Sequence, residues 1–405
     1  MITLNQFKQI KIYFIKMSIL LAISKNYKFM VSEEDLKMRP ALYRMESIND
    51  FESVQINNVQ EVYLSVYDKS IPLATDIDLS FLESFQMVNY QEPYYSEKEA
   101  CFYRNYSFER VNKKHDEWEY LNLMKTIVNK CDNIREDRTN VGTYSIFGPQ
   151  MEFDILESIP ILTTKFLPWK MVLKELLWFL KGDTNSKHLE EQGVGIWKGN
   201  TTRNFLDARG LYNYPEGDVG PMYGYNWRHW GCKYENCMVD YTEKGFDQLT
   251  ELIENIKKDP YSRRHLLTTY NPEEVKNSVL APCHGLTTMF YVEEGGFLSC
   301  KVVCRSSDVF LGLPFNIASY AMFTYIIAMK CDLKPKKLIV TMGDTHIYAN
   351  HIEQVKDQLT RTPFPFPKFK VCESIKNKSW EELSMDDFDL IGYFHHPTIR
   401  APMAV

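Results

Sequence analysis

The sequence has no Cys-x-x-Cys pair, no excess of basic residues, no tryptophan before Trp118 and no internal repeat. Each absence excludes something. The nine cysteines (101, 131, 232, 237, 283, 300, 304, 331 and 372) are odd in number and stand apart. Neither a zinc site nor a disulfide framework is therefore expected, and a reducing, cytoplasmic setting is. A formal net charge of −6 argues against a general nucleic-acid binder, so an anionic ligand would need locally clustered arginines. The missing tryptophans coincide with a polar run from Val111 to Glu117. With 405 residues, enough for two domains, this marks an N-terminal unit over 1–110, a linker over 111–118 and a main domain over 119–405. Val309 to Met329 lacks charge and is long enough to cross a bilayer. It also holds Gly312, Pro314, Asn316, Ser319 and two tyrosines, which lipid would leave unsatisfied, so a buried core helix is expected and no membrane partner. Ile10 to Ser24 resembles a leader, but Lys11 and Lys16 interrupt it and no convincing cleavage site follows. Met17 is an alternative start.

What is present lies mainly after Trp118. Glu119 to Lys130 has the spacing of an amphipathic helix, and a strand is expected near Tyr144 to Phe153. Trp169 to Lys181 repeats apolar residues at 169, 172, 173, 176, 177 and 180. Met171, Glu175 and Trp178 lie on its other side, so this helix should be buried nearly all round. Gly195 to Asn236, rich in Gly, Asn, Asp and Tyr, is too long and aromatic for a passive connector. A helix over Phe246 to Lys258 should stop at Pro260. A strand over Leu338 to Met342, a helix over Asn350 to Leu359 and a Pro-rich crossing from Pro363 to Pro367 complete the domain. In the N-terminal unit Val62 to Tyr67 and Ala100 to Phe108 alternate, which predicts a small sheet.

The chemistry centres on a hairpin. Leu286 to Val292 and Phe297 to Cys304 read as paired strands, joined by Glu293-Glu-Gly-Gly296 with the glycines a tight turn needs. The turn folds Cys283 back onto Arg305-Ser306-Ser307-Asp308, placing a thiol beside a guanidinium that favours the thiolate. Cys283 alone reads equally as a buried small hydrophobe; the Arg-Ser pair favours a nucleophile beside an anion site. Glu175, on the buried helix, should have a raised pKa and serve as a proton relay; the plainer reading is an ion pair with Lys174 or Lys170. Arg138, Arg263, Arg264 and Arg305 sit beside hydroxyl residues, and four guanidinium forks suit a phosphate dianion, although any one of them alone reads as surface charge. Asn316, in the first turn of the apolar helix, is either a cap or the reader of a base edge. His346 and Tyr348 stand two apart in Gly-Asp-Thr-His-Ile-Tyr, as sugar-hydroxyl ligands or as core.

Pro282-Cys-His284, Arg305-Ser-Ser-Asp308, Leu311 to Tyr320 and Gly343 to Tyr348 together resemble the thymidylate synthases. So do Asp137-Arg-Thr139, Glu175 to Leu180, Gly220 to Gly224, Ser262-Arg-Arg264 and Ala401 to Val405. The resemblance runs from about Tyr120 to the last residue. It implies an α/β (α+β) three-layer sandwich whose large mixed sheet packs on its twin in an obligate homodimer. It implies reductive methylation of dUMP to dTMP, with 5,10-methylenetetrahydrofolate as carbon and hydride donor and no metal. By the same carry-over Cys283 attacks C6 of the uracil, and Arg138, Arg305 and Ser306 hold the phosphate. Arg263 and Arg264 reach in from the partner subunit. Asn316 reads the uracil, His346 and Tyr348 hold the ribose, and Glu175, Tyr223 and His284 manage protons. Asp308, Lys165, Trp197, Asn200, Gly312, Phe315 and Val405 would contact the folate.

Two departures stand out. Cys304 replaces the family's glutamine before the catalytic arginine, and Phe166 replaces a basic residue after Lys165. Residues 1–110 resemble a truncated dihydrofolate reductase, as in fused reductase–synthases, through Met17 to Asn26, Glu61 to Ser65 and Cys101 to Phe108. The Gly-rich cofactor loops are missing, so no reductase activity is expected; an unrelated extension is the other reading. The alternatives for the main domain are a deoxyuridylate hydroxymethylase, disfavoured by Asn316 and Trp197, and a non-catalytic nucleotide-binding relative.

Overall fold

The computed structural model describes residues 114–403 except 131–133, 138 and 139, and before them six strands. Arg138, Val405, Met17 and linker residues 111–113 lie outside the described residues. The six strands are β1 (Ile10–Ile15), β2 (Ser18–Ser24), β3 (Ala41–Met45), β4 (Glu61–Tyr67), β5 (Phe85–Ser96) and β6 (Cys101–Arg110), in the order β3-β1-β2-β4-β6-β5. The β2–β4 pairing is parallel, and β4–β6 and β5–β6 are antiparallel.

The main body opens with helix α1 (Glu117–Lys130). It starts two residues earlier than its spacing suggested, because Glu117 is wholly buried and bonded. The strand expected over 144–153 is two strands, β7 (Thr143–Phe147) and β8 (Gln150–Asp154). Gly148 between them takes a φ of 82°, and Pro149 has no N–H to donate to a ladder. Helix α2 (Trp169–Leu180) follows, then the short helix α3 (Lys187–Glu191), and α4 (Arg203–Ala208) and α5 (Gly224–Arg228) inside the aromatic-rich stretch. Helix α6 (Gln248–Lys258) is N-capped by Asp247, which accepts from Thr250 N at 3.1 Å, and it ends before Pro260 as its sequence requires.

Strands β9 (Leu266–Thr268), β10 (Thr287–Glu293), β11 (Phe297–Asp308) and β12 (Lys334–Tyr348) complete a mixed sheet ordered β7-β12-β11-β10-β9, with β8 also on β12. The β10–β11 hairpin pairs Thr287 with Val303 and Glu293 with Phe297. Gly295 and Gly296 take φ of 87° and 78° in its turn, the left-handed region that glycine enters without a Cβ clash. The β11–β12 pair is parallel and sets Ser306 against Asp344 and Asp308 against His346. His346 and Tyr348 thus lie within a 15-residue strand rather than after it.

The uncharged helix is α7 (Gly312–Lys330), with Ile317, Ala318, Ala321, Met322 and Phe323 wholly buried. It is long and apolar enough to cross a membrane, yet its apolar residues join the core of this fold. It packs on α2 and on β11 and β12, against the sheet face of Cys300, Val302, Leu338 and Val340. Each such side chain contributes about 1.5–3 kcal/mol by leaving water. Asn316 is its fifth residue, one turn later than expected. After α8 (Ile352–Leu359) and strands β13 (Lys368–Val371) and β14 (Phe388–Ile391), the chain returns along the body.

Candidate functional site

The hairpin does what its turn implied. Cys283 O accepts from Arg305 N at 2.8 Å and from Ser306 N at 3.3 Å, so the thiol-bearing loop is stitched to the Arg-Ser segment. The Arg305 guanidinium turns back on the same loop, donating from Nε to Pro282 O and from Nη2 to Ala281 O, each at 3.3 Å. Burial pushes the Cys283 thiol up, while the Tyr223 hydroxyl and the Arg305 guanidinium pull it down. The expected cation effect is present, but desolvation outweighs it, so Cys283 rests as a thiol.

Tyr223 organises the other wall. Its hydroxyl lies 3.5 Å from Cys283 Sγ and accepts from Cys283 N at 3.1 Å. Its ring stacks on His284 at 4.4 Å and packs on Phe179 at 4.9 Å and Trp197 at 6.2 Å. Tyr223 sits at φ 44°, an uncommon conformation for a bulky residue. The next residue must be glycine, since a Cβ on Gly224 would lie 2.1 Å from Phe179 O; this close approach seats Tyr223 over α2. Desolvation lowers His284 to about 4, so its ring is neutral, and Nδ1 lies 3.0 Å from Tyr320 Oη.

Glu175 faces the same enclosure. Burial raises its carboxyl to about 7, opposed by one hydrogen bond from Trp197 Nε1 at 2.8 Å. The ion-pair reading fails: Lys174 Nζ donates to Gln192 O at 2.7 Å. Lys170 lies over the Trp169 ring at 5.7 Å.

At the far end of the parallel pair, Asp344 binds Arg135 at 2.6 Å and His346 Nδ1 at 2.9 Å. The carboxylate accepts, so Nδ1 carries a proton, and Nε2 is the ring nitrogen left for another partner. Tyr348 meets the His346 ring edge-on at 5.1 Å. Asp308 Oδ1 accepts from Phe310 N and Leu311 N at 3.0 and 3.1 Å, shaping the turn into α7 where Gly312, Phe315 and Asn316 follow. Lys165 is buried; its ammonium donates to Phe310 O and lies 3.7 Å from the Phe310 ring centre. Burial lowers it to about 7. Its neighbour Phe166 packs on His395 at 4.9 Å. Asn200 lies in the single turn Lys198–Thr201 after Trp197.

The structure therefore gathers Cys283, His284, Tyr223, Glu175, Trp197 and Arg305, with Ser306, Asp308, His346 and Tyr348 in register behind them. Arg263 and Arg264 do not join them: both are exposed just ahead of edge strand β9. Cys304 is buried beside Tyr320 and Cys283, and burial pushes its thiol up to about 12. Sequence reasoning missed Tyr320 and Asp344. Tyr320 was one of the polar groups that made α7 unfit for lipid, and Asp344 shares the strand parity of His346.

Residues 118–405 match the thymidylate synthase family model. The chain is 45% identical over 303 residues to the bifunctional dihydrofolate reductase-thymidylate synthase of Zea mays, covering 74% of this chain and 57% of that protein. Against the bifunctional protein of Paramecium tetraurelia the figures are 45% over 295 residues, 73% and 63%. The chain thus spans under two thirds of these fused relatives. It is 45% identical over 291 residues to the thymidylate synthase of Homo sapiens, covering 72% of this chain and 91% of that protein. With the family match spanning most of its length and a thiol, an acid and an arginine gathered as described, the chain belongs to the thymidylate synthase family.

Proposed function

We propose that the chain catalyses reductive methylation of dUMP to dTMP. The observation that carries this is the junction of Cys283 with Arg305 and Tyr223: an enclosed thiol, bonded to a phenol and stitched to an arginine. Cys283 loses its proton and its sulfur adds to C6 of the uracil, with Arg305 and Tyr223 stabilising the thiolate as it forms. Arg305, Ser306 and Arg138 hold the phosphate; Asn316 reads the base; His346 Nε2 accepts from the ribose hydroxyl while Tyr348 packs on it. Glu175, poised near neutrality, moves protons at the base, and His284 keeps Tyr223 aligned by stacking.

When bound, 5,10-methylenetetrahydrofolate supplies the carbon and the hydride. The enclosure by Trp197, Phe179 and Tyr223 suits a flat aromatic ring, and Asp308, Lys165, Asn200, Gly312, Phe315 and Val405 are the proposed contacts. An obligate homodimer is part of the proposal. Exposed Arg263 and Arg264 serve a neighbouring site, and the open sheet face carries Tyr291, 64% exposed. A cytoplasmic location suits a nucleophile that must stay reduced. Residues 1–110 are proposed to be a reductase-derived remnant without reductase activity, joined through a linker that ends before Glu117, since Glu117 and Trp118 belong to α1 rather than to the linker expected over 111–118.

The test is the rise in dihydrofolate absorbance when purified protein meets dUMP and methylenetetrahydrofolate without NADPH. The rise should vanish in Cys283→Ala. A hydroxymethylated product would replace the proposal with water quenching, and failure of a fluorinated dUMP analogue to label Cys283 would leave only nucleotide binding. Cys304→Gln should raise turnover if the departure at that position limits the enzyme.

A further inference from the structure

His351 is wholly buried and unused by the chemistry above. Its Nε2 lies 2.7 Å from the carbonyl of Pro402, 51 residues on. A carbonyl only accepts, so Nε2 carries the proton. Nδ1 has no hydrogen-bond partner among the described residues. A buried polar atom left unpaired costs free energy, which a phenyl or leucine side chain would avoid; the donor at Nε2 is what the imidazole supplies.

The ring has two further neighbours. It lies 5.5 Å from Phe310, whose carbonyl takes the Lys165 ammonium, and 5.5 Å from Tyr348, which meets His346. The imidazole therefore touches the loop after Asp308, the end of β12 and the chain near Pro402. Other bonds tether the same returning segment upstream: His396 N to Thr163 O at 2.7 Å and Arg361 Nη1 to Pro397 O at 2.7 Å. Between Pro397 and Pro402, His351 supplies the next recorded tether. Resting on the proposed function, we propose that His351 is a positioning residue: its Nε2–H clasps the carboxy-terminal segment and sets it in register over the folate half of the site.

Three variants separate a clasp from a space-filler. His351→Gln keeps an N–H donor near the Nε2 position, His351→Leu keeps apolar bulk only, and His351→Phe keeps a ring. The first readout needs no activity: hydrogen exchange of peptides covering residues 396–403 in the ligand-free full chain. Exchange should quicken in the Leu and Phe variants and stay near the parent in Gln. In steady-state assays the Leu and Phe variants should raise the KM for methylenetetrahydrofolate about tenfold, the size of one lost hydrogen bond, with dUMP affinity within about twofold. Gln should restore most of the loss.

Unchanged exchange in the Leu and Phe variants overturns the clasp, whatever the activity. Equal loss in all three variants, with matching drops in melting temperature, also overturns it, because the residue then only packs. Quickened exchange without any dUMP-dependent turnover in the parent keeps the clasp and removes the proposed function beneath it.

Discussion

Two glutamates of the main body, Glu117 wholly buried and Glu175 partly buried on a core helix, teach opposite lessons. Glu117 receives four hydrogen bonds: Thr163 N and Oγ1 at 2.9 and 2.6 Å, Thr164 N and Oγ1 at 2.8 and 2.6 Å. Glu175 receives one among the described residues, from Trp197 at 2.8 Å. Burial pushes both carboxyls up, yet at Glu117 four donors oppose that push and at Glu175 a single donor does. The first acid is held by the fold, and its four bonds pin the turn that leads to Lys165. The second is left short of donors and rests near 7, where it can give or take a proton. Donor count helps to separate an anchor from a relay.

The sharpest way to break this comparison is to remove each charge. Glu175→Gln should lower turnover by about 10²–10⁴ while the variant still binds dUMP, measured by steady-state assay and equilibrium titration. Glu117→Gln should act on stability instead. Its amide turns NH₂ towards donors that need an acceptor, which costs about 2–4 kcal/mol, read by urea denaturation; turnover per folded molecule should stay close to the parent. An equal loss of turnover in both variants would erase the distinction.

A third test uses pH. The folded Glu175 carboxyl is raised from the ordinary 4.5 to about 7, so the fold prefers its neutral form. At acid pH both folded and unfolded chains are protonated and the group is neutral in effect. Between the two values the unfolded chain ionises first, and the fold loses stability as pH rises. Above about 7 the penalty is complete, roughly 3 kcal/mol. Glu175→Gln should therefore be more stable than the parent near pH 8 by up to that amount, and no more stable near pH 4. The smallest effect belongs to Trp197→Phe. Losing the Trp197 donor should raise Glu175 further and move the pH profile of turnover up by about one unit or less.

Much of this site was legible before any fold was known. The hairpin turn at Glu293 to Gly296 forced Cys283 against Arg305, and the apolar spacing around Glu175 forced that acid inward. Local pattern sufficed because each inference needed one element or two adjacent ones. The thiol was misjudged for the same reason: the nearby Arg305 could be read from the turn, while the burial that outweighs it depends on remote parts of the chain, with Tyr223, Tyr320 and Glu175 all close to Cys283. Tyr320 escaped because its partner His284 is remote in sequence, and Asp344 was missed although it shares the strand face of His346, because its ion pair with Arg135 is remote. The break between β7 and β8 at Gly148-Pro149 was visible in the residues and was passed over in favour of apolar alternation.

The sequence by itself determined most of the longer elements, the proposed nucleophile and acid, and the family, since periodicity, turn glycines and contiguous motifs are local properties. Only the tertiary structure decided which groups are charged, which are solvated by protein donors and what ties the carboxy-terminal segment down. Desolvation and hydrogen-bond satisfaction are sums over every element packed around an atom, and no single stretch of chain contains them.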